Sequence, residues 1–542
     1  MRNRLAILLL IGLALPFLDK PVHVDDANFL AMARSAAAHP WTPHNFSINW
    51  GGVTQPAFDV LSNPPGIALW LAPVASKSVL WQHLWMLPWL LLAGIGAARL
   101  GERVAKRSAE SVILICGAPI AVLATHALTP DLPLLACTLL GFSGLLDEDK
   151  PIAHRLGWAL VLGFGAWFRY SALALIPVVF VWPWIHGQKR EAFKLTGAAL
   201  TPILALMIHD QLAYGDIHLF AMLGFQSTSN GGGELFHKAV ASIATLGGAA
   251  ALPILAFSRP RMACLGACMG AAIGFIAADW AGHSGAAAMA TIGFTAAGGA
   301  ALAATMRNRD PLDRILLLWL ALGALFLLGL RFTASRYWIP FFAPAILIPL
   351  RTAAGSVVRI SCLIAPILAL VLAIDDVDMA ATQERAAKRA ASAGTGHFTG
   401  HWGFQHHLME RGWVPVEDDE TLAPGTWIAT SSIAWPQSEA NDCWDFRELI
   451  PMGDPRPGLR VHTKTGGANI HGHMLAGMPP IRVFAPWSVG EDAMDHLILR
   501  RTCPYEWTEV STPSESPNHS QTDMQHHGGP ATADPSRLES AP

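Results

Sequence analysis

The sequence predicts a polytopic α-helical membrane protein with about thirteen transmembrane helices and a C-terminal extracytoplasmic α/β domain. Of its 542 residues, 52% are hydrophobic and only 14% are charged, whereas soluble domains usually carry about a quarter charged residues. Long apolar runs recur along residues 1–374 and stop there. This composition excludes a disordered chain and an ordinary cytosolic enzyme. The net charge of −3 offers no basic surface for nucleic acid.

The apolar runs are roughly 15 to 20 residues long, and about 20 are needed to cross a bilayer. Short polar loops separate them, which is typical of consecutive spans. They predict spans near 4–18, 79–98, 110–126, 131–146, 155–168, 171–186, 195–213, 239–257, 263–280, 286–305, 313–330, 338–350 and 356–374.

The distribution of Lys and Arg predicts how these spans are oriented. The loops on one side hold most of the basic residues of the membrane region, which marks that side as the cytoplasm. An odd number of spans then places the C-terminal domain outside. No small-residue cleavage site precedes Asp25, so the apolar N-terminal stretch is expected to be an uncleaved first span.

Three regions follow from the change in composition along the chain. Residues 1–374 form the transmembrane domain, with a large first outward loop at 19–77. Residues 375–510 lack a long apolar run and contain alternating segments such as 426–430, which are typical of strands, so they form the soluble domain. Residues 511–542 are rich in Ser, Pro, His, Thr and Asp and predict a disordered tail.

The first outward loop carries two adjacent acids, Asp25 and Asp26. Apolar residues at helical spacing follow them, which predicts a helix lying along the membrane surface. Either acid taken alone could cap that helix. With two acids present, one can cap while the other faces a cavity as a general base or a metal ligand.

Two further outward segments place polar residues beside proline. The first loop ends with Asn63 and a double proline, for which a plain helix start is the simpler interpretation. The second loop runs from His126 to Pro133 and contains Asp131, and Thr129 within it is a good candidate for a helix cap. A carboxylate at the membrane boundary is nevertheless costly unless it faces a polar cavity.

Two Arg-Tyr pairs lie on the side that is otherwise poor in positive charge: Arg169-Tyr170 and Arg336-Tyr337. The aliphatic part of the Arg169 side chain could lie in the membrane while its guanidinium reaches the membrane surface. Tyrosines are common at membrane interfaces. The functional alternative is phosphate binding, because guanidinium pairs with phosphate through two parallel bonds. Acids that activate an acceptor hydroxyl and arginines that hold a leaving phosphate would suit a reaction on an anionic lipid.

These motifs, in this order, resemble those of the C-type glycosyltransferase fold. The similarity is to family 39-like enzymes: the aminoarabinose transferases, the protein O-mannosyltransferases and the bacterial dolichyl-phosphate-mannose-protein-mannosyltransferase-like proteins. It covers residues 1–374, and an outward C-terminal domain is also expected in that family. The residues that carry it are Asp25-Asp26, Asn63-Pro64-Pro65, Thr129-Pro130-Asp131 and Arg336-Tyr337.

The resemblance implies a polyprenyl-phosphate-linked sugar donor, a lipid, protein or polysaccharide acceptor, and transfer with inversion at the outer face of a bacterial inner membrane. It implies that Asp25 is the base, with Asp26 and Asp131 as further catalytic acids. Arg169 and Arg336 would hold the lipid phosphate. Further candidates for substrate binding are Asn63, His126, Tyr170 and Tyr337.

The chain departs from the family pattern in the first outward loop. Some relatives carry Glu and Lys where this chain has Ser62 and Asn63. The missing Glu removes one candidate metal ligand, and the missing Lys removes one phosphate contact. No metal ligand or cofactor is therefore assigned, and dependence on a divalent metal stays open.

The soluble domain begins with a histidine-rich run whose composition, but not its spacing, suggests a metal site. Its alternation predicts a strand that leads into a helix near Leu408. Cys443 and Cys503 are the two cysteines of this domain, and the sequence leaves their pairing open. The histidines are His397, His401, His406 and His407.

Two other functions remain as alternatives to a glycosyltransferase. A lipid or sugar transporter or flippase would place its ionisable residues near the membrane midplane, often in two related halves. Here they cluster on one face, and no repeat is visible. A non-catalytic scaffold that binds cell-wall glycans would need neither Asp25 nor Asp131.

Overall fold

The computed structural model describes residues 2–227, 232–251, 253–306, 310–418, 420–437, 443–453, 455–472 and 482–504. Residues 1–503 form one compact unit. The predicted tail at 511–542 lies outside the described residues.

Helices make up most of the membrane region, the last of its helices continues into the soluble domain, and one further helix lies in the soluble domain itself. They are α1 (Arg2–Ala14), α2 (Asp26–Ala38), α3 (Ala57–Val60), α4 (Gly66–Leu71), α5 (Val79–Ala105), α6 (Ser108–Cys116), α7 (Pro119–Thr125), α8 (Asp131–Leu145), α9 (Ile152–Phe164), α10 (Ile176–Ile185), α11 (Lys189–Tyr214), α12 (His218–Ser227), α13 (Gly232–Thr245), α14 (Pro260–Trp280), α15 (Gly285–Thr305), α16 (Pro311–Gly329), α17 (Ala343–Leu350), α18 (Gly355–Ala391) and α19 (Trp402–Met409).

Six of the described helices are long and apolar enough to cross a membrane: α5, α11, α14, α15, α16 and α18. The pair α6 and α7 is bent by 71° and would make a seventh span if it crosses as one unit. The structure confirms a polytopic helical protein, but it does not confirm thirteen spans.

The predicted span at 338–350 shows why apolar runs and spans differ. Only α17 forms there, and eight residues at about 1.5 Å each reach about 12 Å, less than half of the hydrocarbon core. All eight of its residues are buried inside the protein. The run is apolar because it lies in the protein core. Hydropathy alone does not distinguish a segment buried in protein from one buried in lipid.

The strands fall mainly in the soluble domain, and a small hairpin lies in the first outward loop. The hairpin is β1 (Ser47–Trp50) with β2 (Val53–Pro56). The others are β3 (Gly396–Thr399), β4 (Val414–Pro415), β5 (Trp427–Ser431), β6 (Trp444–Met452), β7 (Gly458–Arg460), β8 (His462–Thr463), β9 (Ala468–Asn469), β10 (Ser488–Gly490) and β11 (Asp495–Thr502).

The soluble domain is built on a five-stranded mixed sheet in the order β4-β3-β5-β11-β6. Strand β3 pairs in parallel with β4 and β5, while β11 is antiparallel to β5 and β6. The strand predicted at 426–430 corresponds to β5. The predicted strand that leads into a helix is present as β3 and α19, but the helix begins at Trp402 rather than near Leu408.

Cys443 and Cys503 form a disulfide, with their Cα atoms 5.5 Å apart. The bond joins the start of β6 to the end of β11, which are neighbours in the sheet. The sequence had left this pairing open because proximity across 60 residues depends on strand order.

Two glycines bring distant segments into contact around the candidate site. A Cβ atom on Gly66 would overlap the backbone carbonyl of Trp167. A Cβ atom on Gly403 would lie 2.6 Å from the backbone oxygen of Val22, too close for a real contact. These positions therefore allow the Asn63 turn to approach Arg169, and α19 to approach the segment that precedes α2.

Candidate active site

A cavity of about 380 Å³ lies between the first outward loop, the two Arg-Tyr segments and the soluble domain. It is lined by residues from parts of the chain that the sequence analysis had singled out separately. Among them are Asp25, Asn63, Arg169, Arg336, Tyr337 and His401.

Asp25 lies immediately before α2, but it does not cap the helix through its side chain. Its carboxylate instead accepts a hydrogen bond from the Arg336 guanidinium. About a fifth of each side chain remains exposed to the cavity. The cap interpretation for Asp25 is therefore wrong.

Asp131 begins α8, and its carboxylate accepts a hydrogen bond from Arg169. The carboxylate is buried, while the guanidinium is 15% exposed. Thr129 does not act as the helix cap, since the N-cap residue is Pro130. Arg169 is paired beside a cavity, so the interpretation that it reaches for the membrane surface is also wrong.

The Tyr337 ring lies beside both guanidinium groups. Its centroid is 4.7 Å from Cζ of Arg169 and 5.7 Å from Cζ of Arg336, within the range of cation–π attraction. Two acid–arginine pairs from four separate segments thus meet around one aromatic ring. Two cations are concentrated here, each balanced by one carboxylate.

Asp26 has a different environment from Asp25. Its carboxylate accepts hydrogen bonds from the backbone N–H groups of Leu128 at 2.8 Å and His23 at 3.3 Å, and it is 1% exposed. Burial raises the pKa of Asp26 to about 7, although nearby Lys20 lowers it. These two hydrogen bonds link the first outward loop to the second one.

A second cavity of about 120 Å³ adjoins the first and shares Asn63, Arg169, Arg336 and Tyr337 with it. Tyr170 lines it, and the Tyr170 hydroxyl is 2.8 Å from Nδ1 of His218. The remainder of its wall is mostly apolar and includes Leu134, Leu219, Met222, Leu223, Phe326 and Leu330.

His126, which the sequence suggested as a substrate-binding residue, does not line either of these cavities. Its Nε2 atom lies 2.9 Å from the Leu13 carbonyl oxygen, and its ring packs against Phe17 with centroids 4.6 Å apart. The side chain is 2% exposed. Its contacts join α7 to the end of the first helix.

Histidine and tryptophan side chains of the soluble domain form one wall of the larger cavity. Trp402 and Trp435 line it, and His401 stacks on Trp50 with ring centroids 4.8 Å apart. Val24, Trp402 and Trp435 all have positive φ angles, of 44°, 62° and 51°. Such strained backbone at bulky residues is concentrated at functional sites in proteins.

The four histidines of the soluble-domain run do not come together as one metal site. His397 lies on β3, His401 stacks on Trp50, and His406 and His407 lie on α19. His406, His407 and Glu410 are close enough to bind one ion, but Nε2 of His407 is already 3.1 Å from the Val22 carbonyl oxygen. Burial lowers the pKa of His401, His406 and His407 to about 4 in each case.

Sequence reasoning missed a buried cluster next to the site. It contains Lys20 and His23 from the first outward loop, Asp376 from α18, and His471 from the soluble domain. Burial, followed by the charge of Lys20, lowers the pKa of His23 well below its usual value. Lys20 and Asp376 are charged residues beside predicted spans, which was the available signal, but their separation of 356 residues concealed the pairing.

Structure comparison finds two similar crystal structures of ArnT from Cupriavidus metallidurans, one bound to undecaprenyl phosphate and one in the apo state. Their TM-scores are 0.38 and 0.37, and their sequence identities are 14% and 11%. Each alignment covers 79% of this chain and 92% of the ArnT chain. No protein-family model and no curated protein matches the chain.

Proposed function

We propose that this protein is an integral membrane glycosyltransferase that moves a sugar from a polyprenyl-phosphate donor to an acceptor hydroxyl. The observation that carries the proposal is the meeting of two acid–arginine pairs around Tyr337, where two adjoining cavities share both arginines. Such a donor carries an anionic phosphate between a sugar and a hydrocarbon chain, so two guanidinium groups that lie between two cavities suit it.

Arg169 and Arg336 are the proposed phosphate-binding residues. Both line both cavities, so a phosphate bound between them would leave the larger cavity for the sugar and the smaller one for the start of the lipid chain. Guanidinium groups bind phosphate oxygens through charge-assisted hydrogen bonds. The aliphatic side chains beyond Tyr170, such as Leu219 and Leu223, suit the first prenyl units of the lipid.

Asp25 is the proposed general base. It takes the proton of the acceptor hydroxyl as the acceptor oxygen bonds to the anomeric carbon, and the bond from that carbon to the phosphate oxygen breaks. The electron pair leaves with the polyprenyl phosphate, whose charge Arg169 and Arg336 stabilise. Attack from the face opposite the phosphate inverts the anomeric carbon.

The other two acids have supporting roles in this proposal. Asp131 holds Arg169 and faces the smaller cavity near the phosphate position. Asp26 fixes the position of the backbone around Asp25, because its carboxylate accepts hydrogen bonds from backbone N–H groups of two loops. A base must reach the substrate proton, and Asp25, with a fifth of its side chain exposed, is better placed to do so than Asp26.

The acceptor would enter beside the soluble domain, where His401, Trp402 and Trp435 line the larger cavity. Aromatic faces suit the apolar faces of sugar rings or of lipid groups. The Cys443–Cys503 disulfide favours an extracytoplasmic position for this domain, because such bonds persist in oxidising compartments. We therefore place the reaction at the outer face of the inner membrane.

Comparison of a strain that lacks this protein with its parent tests the proposal. The glycolipids and glycoproteins of the deletion strain should lack one sugar, and the wild-type chain should restore it. Asp25→Asn should not restore it. Asp445→Asn, which alters an acid–arginine pair on the surface of the soluble domain, is the matched control and should restore it.

Two outcomes would contradict the proposal. The first is full restoration of the sugar by Asp25→Asn at normal protein levels. The second is transport of the intact sugar lipid across reconstituted vesicles with no transfer to any acceptor, which would identify a flippase.

A further inference from the structure

The buried cluster beside the proposed active site has the arrangement of a metal site. One ring nitrogen of His23, one of His471 and a carboxylate oxygen of Asp376 all lie within 4.8 Å of one another. The His23 and Asp376 side chains are each 1% exposed, and that of His471 is 13% exposed. We infer that these three residues bind a divalent zinc-class cation.

The orientation of His23 is the main observation for this inference. Its Nδ1 atom lies 3.4 Å from the amide oxygen of Gln383, so Nδ1 carries the proton and donates it. Nε2 then presents a lone pair toward Asp376, and it has no hydrogen-bond partner among the described residues. A buried acceptor left without a partner is destabilising, and a bound cation would satisfy it. Metal-binding histidines are held in this way, with the second ring N–H donated to an oxygen.

The distances fit a tetrahedral ion after a small adjustment. Metal bonds of about 2.0 to 2.1 Å would separate neighbouring ligand atoms by about 3.3 Å. Oδ1 of Asp376 is 3.8 Å from Nε2 of His23 and 2.6 Å from Nε2 of His471. The distance from Asp376 to His23 must therefore shorten by about 0.5 Å, and the distance from Asp376 to His471 must lengthen by about 0.7 Å. Rotation of the two imidazole rings can supply both changes.

The remaining oxygen of Asp376 is occupied by a different partner. Oδ2 accepts a hydrogen bond from Nζ of Lys20 at 2.5 Å. This contact fixes the carboxylate so that Oδ1 faces both imidazoles, as the outer partners of metal-binding carboxylates do. Two imidazole nitrogens and one carboxylate oxygen form a ligand set that suits zinc.

A fourth ligand has space beside the cluster. A void of about 40 Å³ is lined by His23, Asp26, Asp131, Arg336 and His471. A water molecule needs about 10–15 Å³ of such space, so a bound water fits. The three protein ligands come from the first outward loop, α18 and the soluble domain. The ion would therefore join all three and hold the loop that carries Asp25 and Asp26.

The test measures metal content and does not depend on transferase activity. The full-length protein, purified without a histidine tag, is equilibrated with zinc chloride and passed over chelating resin before metal analysis. The wild type should retain about one zinc per chain. His23→Gln and His471→Gln should each retain less than about a tenth of that amount. His406→Gln, in the other His-Glu group, is the matched control and should retain it fully.

A second measurement covers the case in which a variant fails to fold. Cobalt added to the wild-type protein should give the intense visible absorption of a four-coordinate ion, and zinc should abolish it. Wild-type protein that keeps no zinc above the level of His23→Gln and gives no such spectrum overturns the inference. Loss of zinc in His406→Gln, with retention in His471→Gln, would also overturn it.

Discussion

The substitution Asp25→Asn should change donor binding and sugar transfer in opposite directions. In the structure, one Arg336 N–H group is engaged by the Asp25 carboxylate. A lipid phosphate that enters the site must compete with that carboxylate for the same guanidinium. The amide that replaces the carboxylate is neutral, so the substitution removes both the competitor and a negative charge near the phosphate.

The size of each effect follows from the bonds involved. A hydrogen bond to a charged group contributes about 1.5–3 kcal/mol, and about 1.4 kcal/mol corresponds to a tenfold change in affinity. Release of Arg336 should therefore tighten phosphate binding by about 10- to 100-fold. Loss of a general base should slow transfer by about 10²- to 10⁴-fold.

Two assays separate these effects. Binding of undecaprenyl phosphate to the detergent-solubilised protein can be measured from the ligand-induced rise in Tm. Transfer can be measured from the sugar restored in the deletion strain. Asp445→Asn controls for the loss of one carboxylate and should change neither quantity. Weaker binding of undecaprenyl phosphate by Asp25→Asn, or an unchanged rate of transfer, would refute the reasoning.

Three further predictions concern packing, cross-linking and pH. Gly66→Ala should lower the free energy of unfolding by about 1–3 kcal/mol, because its added Cβ atom meets a backbone carbonyl. The control is Gly197→Ala, where the added Cβ atom meets open space. Compared with that control, Gly66→Ala should have a lower Tm and bind undecaprenyl phosphate more weakly. Replacement of both Cys443 and Cys503 by Ser should destabilise the soluble domain by about 4 kcal/mol, since the bond closes a loop of 60 residues; equal urea midpoints for this variant and the wild type would contradict it. Burial lowers the pKa of His401 and His462 to about 4, so both imidazoles are neutral in the folded protein. The stability of the folded state is therefore greatest above the unfolded pKa of about 6.5, and it is lost as pH falls from there toward 4. Each histidine should lower the free energy of unfolding by about 2 kcal/mol at pH 5. A Tm that does not fall between pH 7.5 and pH 5 would contradict this prediction. So would a fall in Tm of the same size in His462→Gln.

Local features of the protein were predictable because they depend on neighbouring residues. The alternation at 426–430 predicted β5 to within one residue at each end. The helix predicted after Asp25 forms as α2. The predicted span at 338–350 failed because an apolar run buried in protein has the same composition as one buried in lipid, and only length separates the two.

The sequence by itself determined that this is a polytopic helical membrane protein with a strand-containing C-terminal domain, and it identified the acids and arginines that are exceptions to the low charge content. Only the tertiary structure decided which of them meet. Asp25 pairs with Arg336 across 311 residues, and Lys20 pairs with Asp376 across 356. The physical reason is that apolar surface places a helix in the bilayer but does not specify its neighbour, because lipid is as apolar as another helix face. Helix order and close glycine contacts therefore select each charged partner, and neither can be read from the spacing of residues along the chain.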